Sequence, residues 1–116
     1  MGNLNHQITY IEFSAFDQDS LRAAQEFYEQ VFGWQYQQWG EDYIDTSDSG
    51  VKSGIAHGNE NKPLAVIYTA DLAATYADVK QAGATITADI FEFPGGRRFH
   101  FIDPAGNELA IWSDTA

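Results

Sequence analysis

The sequence predicts an α+β domain made of two halves with one plan, β-α-β-β-β. Three observations predict it. Each half carries a stretch of helical periodicity that ends at a glycine, and these glycines, Gly33 and Gly83, stand fifty residues apart, the spacing of a duplicated module. Each helical stretch follows one segment with strand character and precedes three more. The polar segment Gly58-Asn59-Glu60-Asn61-Lys62-Pro63, with a backbone breaker at each end, joins the halves as a loop within one domain. Residues 1–116 are therefore expected to form a single domain, with modules over about 7–58 and about 63–113.

From Gln7 to Ala15 apolar and polar residues nearly alternate, which puts Ile11, Phe13 and Ala15 on one face of a strand and Tyr10, Glu12 and Ser14 on the other. Asp17 or Asp19 can accept the free N–H groups of a helix start. Leu21, Ala24, Phe27, Tyr28, Val31 and Phe32 then recur at helical spacing up to Gly33. Trp34 to Trp39, Tyr43 to Thr46 and Val51 to His57 read as three strands parted by Gly- and Asp-rich turns.

In the second half Leu64 to Ala70 reads as a strand and Asp71 as a helix cap, with Leu72, Tyr76 and Val79 on one stripe. Ala84 to Phe91, Arg97 to Ile102 and Glu108 to Trp112 supply the closing strands, with Pro94-Gly95-Gly96 and Asp103-Pro104-Ala105-Gly106 as turns. The last two strands form a hairpin, because proline presets one backbone angle of the turn and glycine tolerates a positive one.

The wording of that hairpin, Phe101-x-Asp103-Pro104-x-Gly106-Asn107-Glu108-Leu109-x-x-Trp112, resembles the closing hairpin of the vicinal oxygen chelate superfamily, which includes glyoxalase I, bleomycin-resistance proteins and extradiol dioxygenases. A second match lies near the start, where Tyr10-Ile11-Glu12-Phe13 leads through Asp17 to Arg22-Ala23-Ala24, Phe27-Tyr28 and Val31-Phe32-Gly33-Trp34. The resemblance implies that the sheets of the two modules curl into an open cup with the helices outside. It implies no single activity, since one scaffold hosts several reactions and pure binding proteins.

Members of that superfamily that hold a metal take a His or Glu ligand from the first and last strand of each module. Carried over, those positions fall at Tyr10, at Ala65, at Ala110 and near Gly54 to Ala56, with His57 available only if the strand register shifts. Alanine and glycine carry no donor, so no metal ligand is assigned, no cofactor is expected and a divalent metal is disfavoured. Glyoxalase-type isomerisation and extradiol cleavage both depend on a metal and are disfavoured with it.

The lining of the expected cup follows from alternation. With residue 110 facing inward, Glu108 and Trp112 do too; with Phe99 and Phe101 in the core, Arg98 and His100 face the cup. The ligand-binding candidates are Tyr10, Glu12, Trp39, Tyr43, Arg98, His100, Glu108 and Trp112. Glu12, Glu108 and His100 are the candidates for acid–base chemistry.

Seventeen acidic residues against six basic ones give a net charge of −11, which repels phosphate backbones, excludes nucleic acid as a partner and steers cations inward. Without cysteine, disulfides and thiolate chemistry are excluded. No apolar run nears the roughly 20 residues of a membrane helix, and no secretory pattern opens the sequence, so a cytoplasmic protein is expected. A chain of 116 residues is short enough that a homodimer is expected as well. The functional expectation is binding of a small organic molecule, aromatic or cationic, without a metal. The alternative is a glyoxalase-like lyase or isomerase using Glu12 or Glu108 as general base.

Overall fold

A computed structural model describes residues 4–59 and 62–114; Glu60 and Asn61, at the centre of the expected connecting loop, lie outside the described residues. The chain resolves into two compact units, one over Tyr10–Leu64 and one gathering the residues from Ala65 on with those up to Thr9. The strand, helix and three strands expected of each half are found in each half.

The first module contains β1 (Gln7–Ala15), α1 (Gln18–Phe32), β2 (Gln37–Gln38), β3 (Tyr43–Thr46) and β4 (Lys52–His57). Asp17 starts α1 by accepting the Ser20 N–H at 2.8 Å, and Gly33 ends it in the left-handed conformation, φ 76°, that glycine adopts without penalty. Its strands run in the order β2-β3-β4-β1, antiparallel except for the parallel pair β1 and β4. The core is Leu21 of α1 against Ala15, Ile44 and Ile55, with Phe13, Ala24 and Tyr28 around it.

Two expectations need correction here. The strand predicted over Trp34 to Trp39 shrinks to Gln37–Gln38, because side chains rather than a ladder hold its first part: Trp34 stacks on Tyr28 at 5.1 Å and on Phe32 at 5.4 Å, and the Gln35 N–H donates to Asp48. The helical stripe is also narrower than predicted, since Phe27, Val31 and Phe32 are exposed. At about 100° per residue, Phe27 and Val31 sit well round the helix from Leu21, and Phe32, the last residue of α1, spends its ring on Trp34.

The second module contains β5 (Leu64–Tyr68), α2 (Leu72–Gln81), β6 (Thr85–Phe93), β7 (Gly96–Ile102) and β8 (Glu108–Ser113). It repeats the topology: order β5-β8-β7-β6, with β5 and β8 parallel and the rest antiparallel. Asp71 caps α2 through the Ala74 N–H at 3.1 Å. Leu72, Phe99, Phe101 and Ile111 form the core, and the predicted α2 stripe of Tyr76 and Val79 packs on it. Strand β5 ends at Tyr68 rather than Ala70, because the Thr69 hydroxyl turns to accept the Asp71 N–H at 3.3 Å. Register shifts in β6 between Ile86 and Phe91 bend that strand where the ladder is interrupted.

Candidate functional site

In the second module the face of the sheet away from α2 is set by alternation along two paired strands. Phe99 and Phe101 enter the core, so Arg98, His100 and Ile102 take the other side; Leu109 and Ile111 do the same for Glu108, Ala110 and Trp112. The register sets Arg98 beside Trp112, His100 beside Ala110 and Ile102 beside Glu108. Ala110 is fully buried and offers only a methyl group, so the imidazole spans toward the neighbouring carboxylate.

A polar row results. The Arg98 Nε–H donates to His100 Nε2 at 3.1 Å. An accepting Nε2 carries the lone pair, which puts the proton of the neutral ring on Nδ1. That nitrogen stands 3.7 Å from Glu108 Oε2, beyond hydrogen-bond reach. Thr87 donates its hydroxyl to the same oxygen at 3.0 Å. The Arg98 guanidinium lies 5.6 Å from the Phe91 ring and 5.7 Å from the Phe93 ring, within cation–π range of both. Trp112 packs edge-on to Tyr68 and Phe93 and donates its indole N–H to Thr9 at 3.1 Å. Such a row can hold an organic guest against aromatic walls, and it sets an imidazole beside a carboxylate.

The first module has an equivalent face, away from α1. Glu12, Gly54 and Asp45 are register partners across β1, β4 and β3, and Tyr43 stands beside Ala56. The hydroxyls of Tyr10 and Tyr43 hydrogen-bond to each other. A Cβ at Gly54 would run into both, so only glycine there lets the two rings meet. The Tyr10 hydroxyl is pushed far above the ordinary phenol range, first by burial, then by its bond to Tyr43 and the negative charges of Asp45 and Glu12. Trp39 is exposed and donates its indole N–H to Asp45 at 3.0 Å.

Of the predicted site residues, the structure thus joins Arg98, His100 and Glu108, sets Trp112 next to Arg98, and separately joins Tyr10 with Tyr43 on the face that carries Glu12. Trp39 reaches this second group through Asp45. Four contributors escaped the sequence reading. Phe91 and Phe93 alternate visibly in their strand, and Asp45 alternates with Tyr43, so these three were legible; Thr87 arrives through the irregular register of β6, which leaves no sequence signal.

The positions where a metal would be held can be tested on their donor chemistry. Ala65 is corrected: it pairs with Leu109 on the α2 side, and Val66 is the residue that shares a face with Ala110, because partners in a parallel ladder point the same way. Valine carries no donor either. Gly54 and Ala56 carry none, and the register leaves His57 in phase with Ser53 and Ile55, at an exposed strand end. The Tyr10 hydroxyl is already engaged by Tyr43. Among the described residues no three His, Cys, Asp or Glu side chains come together as a metal ion requires. The residues present do not fit the metal that the resemblance implies.

Among the described residues no helix is long and apolar enough to cross a membrane. No curated protein sequence matches the chain. Solved structures do, at the level of fold. The Mn(II)-bound glyoxalase from Novosphingobium aromaticivorans superposes with a TM-score of 0.71 at 21% identity, over 97% of this chain and 40% of that one. A glyoxalase/bleomycin resistance protein/dioxygenase superfamily member from Vibrio splendidus gives 0.71 at 15% identity, over 94% and 99%. Methylmalonyl-CoA epimerase from Streptomyces coelicolor gives 0.67 at 18% identity, over 97% of each chain. The family model of the same name matches residues 14–111. With the βαβββ plan found twice and most of its length matched, the chain belongs to the Glyoxalase/Bleomycin resistance protein/Dioxygenase superfamily.

Proposed function

We infer that this chain binds a small organic molecule without recruiting a metal, and that the guest is aromatic or cationic. The observation that carries the reading is the scarcity of donors: among the described residues no three His, Cys, Asp or Glu side chains come together, the positions that the resemblance assigns to metal ligands hold Tyr10, Ala65, Ala110 and the Gly54 to Ala56 stretch, and aromatic side chains line the same sheet faces. Aromatic walls offer stacking surface, and a net charge of −11 raises the local concentration of cations. A thermal-shift series of aromatic amines, with and without chelator, tests it. Stabilisation that chelator leaves unchanged is expected; stabilisation that chelator removes contradicts the reading.

A second reading is favoured by one specific observation, the His100 imidazole set between Arg98 and Glu108. It makes the chain a lyase or isomerase in which Glu108 or Glu12 takes a proton from a carbon acid; a protein named as an epimerase stands among its structural neighbours. Exchange of substrate hydrogen for deuterium, lost in Glu108→Gln or Glu12→Gln with the fold intact, is its expected signature. Homodimeric assembly and cytoplasmic residence complete the proposal. Light scattering on the purified protein tests the first, and fractionation of the host cell tests the second.

A further inference from the structure

The outer side of α1 carries a cluster of rings that the binding reading does not use. Phe27 and Val31 stand one turn apart on one side of the helix, and Phe32 closes its last turn. The Phe27 ring lies 5.3 Å from Tyr28 and 6.4 Å from Phe32, and Tyr28 and Phe32 both stack on Trp34, so the four rings are continuous. Tyr28 reaches the core of the first module, but Phe27, Val31 and Phe32 are each more than half exposed. Apolar residues scattered singly over a surface need no explanation, whereas a contiguous patch marks a place of interaction.

The charges around the patch select the partner. Glu29 precedes Phe32 by three positions and shares its side of the helix. Glu26 adjoins Phe27, and Asp48 accepts the N–H of Gln35, the residue after Trp34, at 2.9 Å. All three carboxylates are exposed. The last turn of α1 holds no basic residue, so the negative end of the helix dipole adds to them. Arg22, the one basic residue of α1, stands more than a turn before Phe27 and donates to Gln25 at 3.3 Å. A second copy of the chain would bring the same acidic rim and a net charge of −11, and an anionic membrane surface would be repelled as well. A cationic amphipathic helix fits both features: its apolar side covers the rings, and its lysines or arginines meet the carboxylates and the negative ring faces.

We propose that Phe27, Val31, Phe32 and Trp34, rimmed by Glu26, Glu29 and Asp48, form a docking surface for a basic amphipathic helix of another protein. The surface stands apart from the small-molecule reading, which concerns the sheet faces away from the helices.

The probes are three labelled peptides: a leucine–lysine peptide with its leucines at helical spacing, the same composition scrambled so that no apolar side forms, and the helical pattern with glutamate in place of lysine. Fluorescence anisotropy with the full chain should show the patterned lysine peptide binding at least about tenfold tighter than either control. Phe27→Ser and Phe32→Ser should each weaken it about tenfold, the scale of an interface anchor. Glu29→Gln should weaken it and flatten its salt dependence. Glu92→Gln, which removes an exposed negative charge on β6, should leave it unchanged and so separates the surface from the general field. Circular dichroism confirms that each variant folds, and Val31→Ser reads the same side of α1 where Phe32→Ser does not fold.

Equal affinity for the patterned and scrambled lysine peptides would overturn the proposal, as would glutamate serving as well as lysine or Phe27→Ser binding like the parent. Light scattering adds one more check. A dimer that Phe27→Ser converts to monomer would give this face to a second copy and overturn the proposal too.

Discussion

Single residues decide the chemistry of this chain more than its motifs do. Gly54 is the clearest case: a methyl group there would collide with the Tyr10 and Tyr43 hydroxyls. Gly54→Ala is therefore expected to cost about 1–3 kcal/mol, as overpacking does, and to shift the tyrosine signals in near-ultraviolet circular dichroism. A variant as stable as the parent with an unchanged spectrum would show that the two rings do not meet over this position. Asp103 is the second case. Its carboxylate accepts N–H groups from Asn107 and Ala105 at 2.9 Å each, and these bonds hold it below the ordinary carboxylate range. A lowered folded-state pKa stabilises the fold above the unfolded value and loses that effect as pH falls through the folded one. The melting temperature of Asp103→Ala should thus fall below that of the parent at neutral pH, and the gap should close as pH drops well below about 4. A gap that widens in acid would refute this. The alanine at position 110 was legible as a missing donor from the sequence. The residue beside it was not, because one step of register separates Ala65 from Val66.

At the scale of the elements, caps and alternation carried the sequence reading, and the failures have a common cause. Strand β1 and the N-cap Asp71 lie where the pattern put them, and Asp17 is the one of its two candidates that caps α1. The pattern failed at Trp34 to Tyr36, where aromatic stacking outcompetes a ladder, and along α1, where apolar residues face out. Periodicity records that a residue is apolar; it does not record whether a sheet lies opposite. The contrast gives a measurement. Leu21, 1% exposed, should cost about 2–5 kcal/mol when cut to alanine. Phe27, 53% exposed, should change stability by no more than about 0.5 kcal/mol when replaced by serine. Urea denaturation of both variants checks the pair, and equal losses would mean that the outer face of α1 is covered in solution.

For the whole molecule the repeated plan was readable from two glycines and a linker, and the family from two motifs, one at each end. The comparisons agree with that reading at the level of fold, where identities of 15–21% carry no activity across. What the scaffold is used for depends on which side chains fill a few fixed places, and here the relevant alternation is visible in β7 and β8 but broken in β6. Hence the row of Arg98, His100 and Glu108 was foreseeable and Thr87 was not. The charge of −11 belongs to this scale as well. Raising salt should weaken a cationic guest markedly while leaving a neutral aromatic one almost untouched, a comparison that titration calorimetry makes directly. The central proposal, that this chain recruits no metal, is tested most directly by metal analysis of protein purified without chelator and then dialysed with zinc, nickel, manganese and iron in turn. The account predicts well under one equivalent of each per chain; one tightly held equivalent of any of them would contradict it.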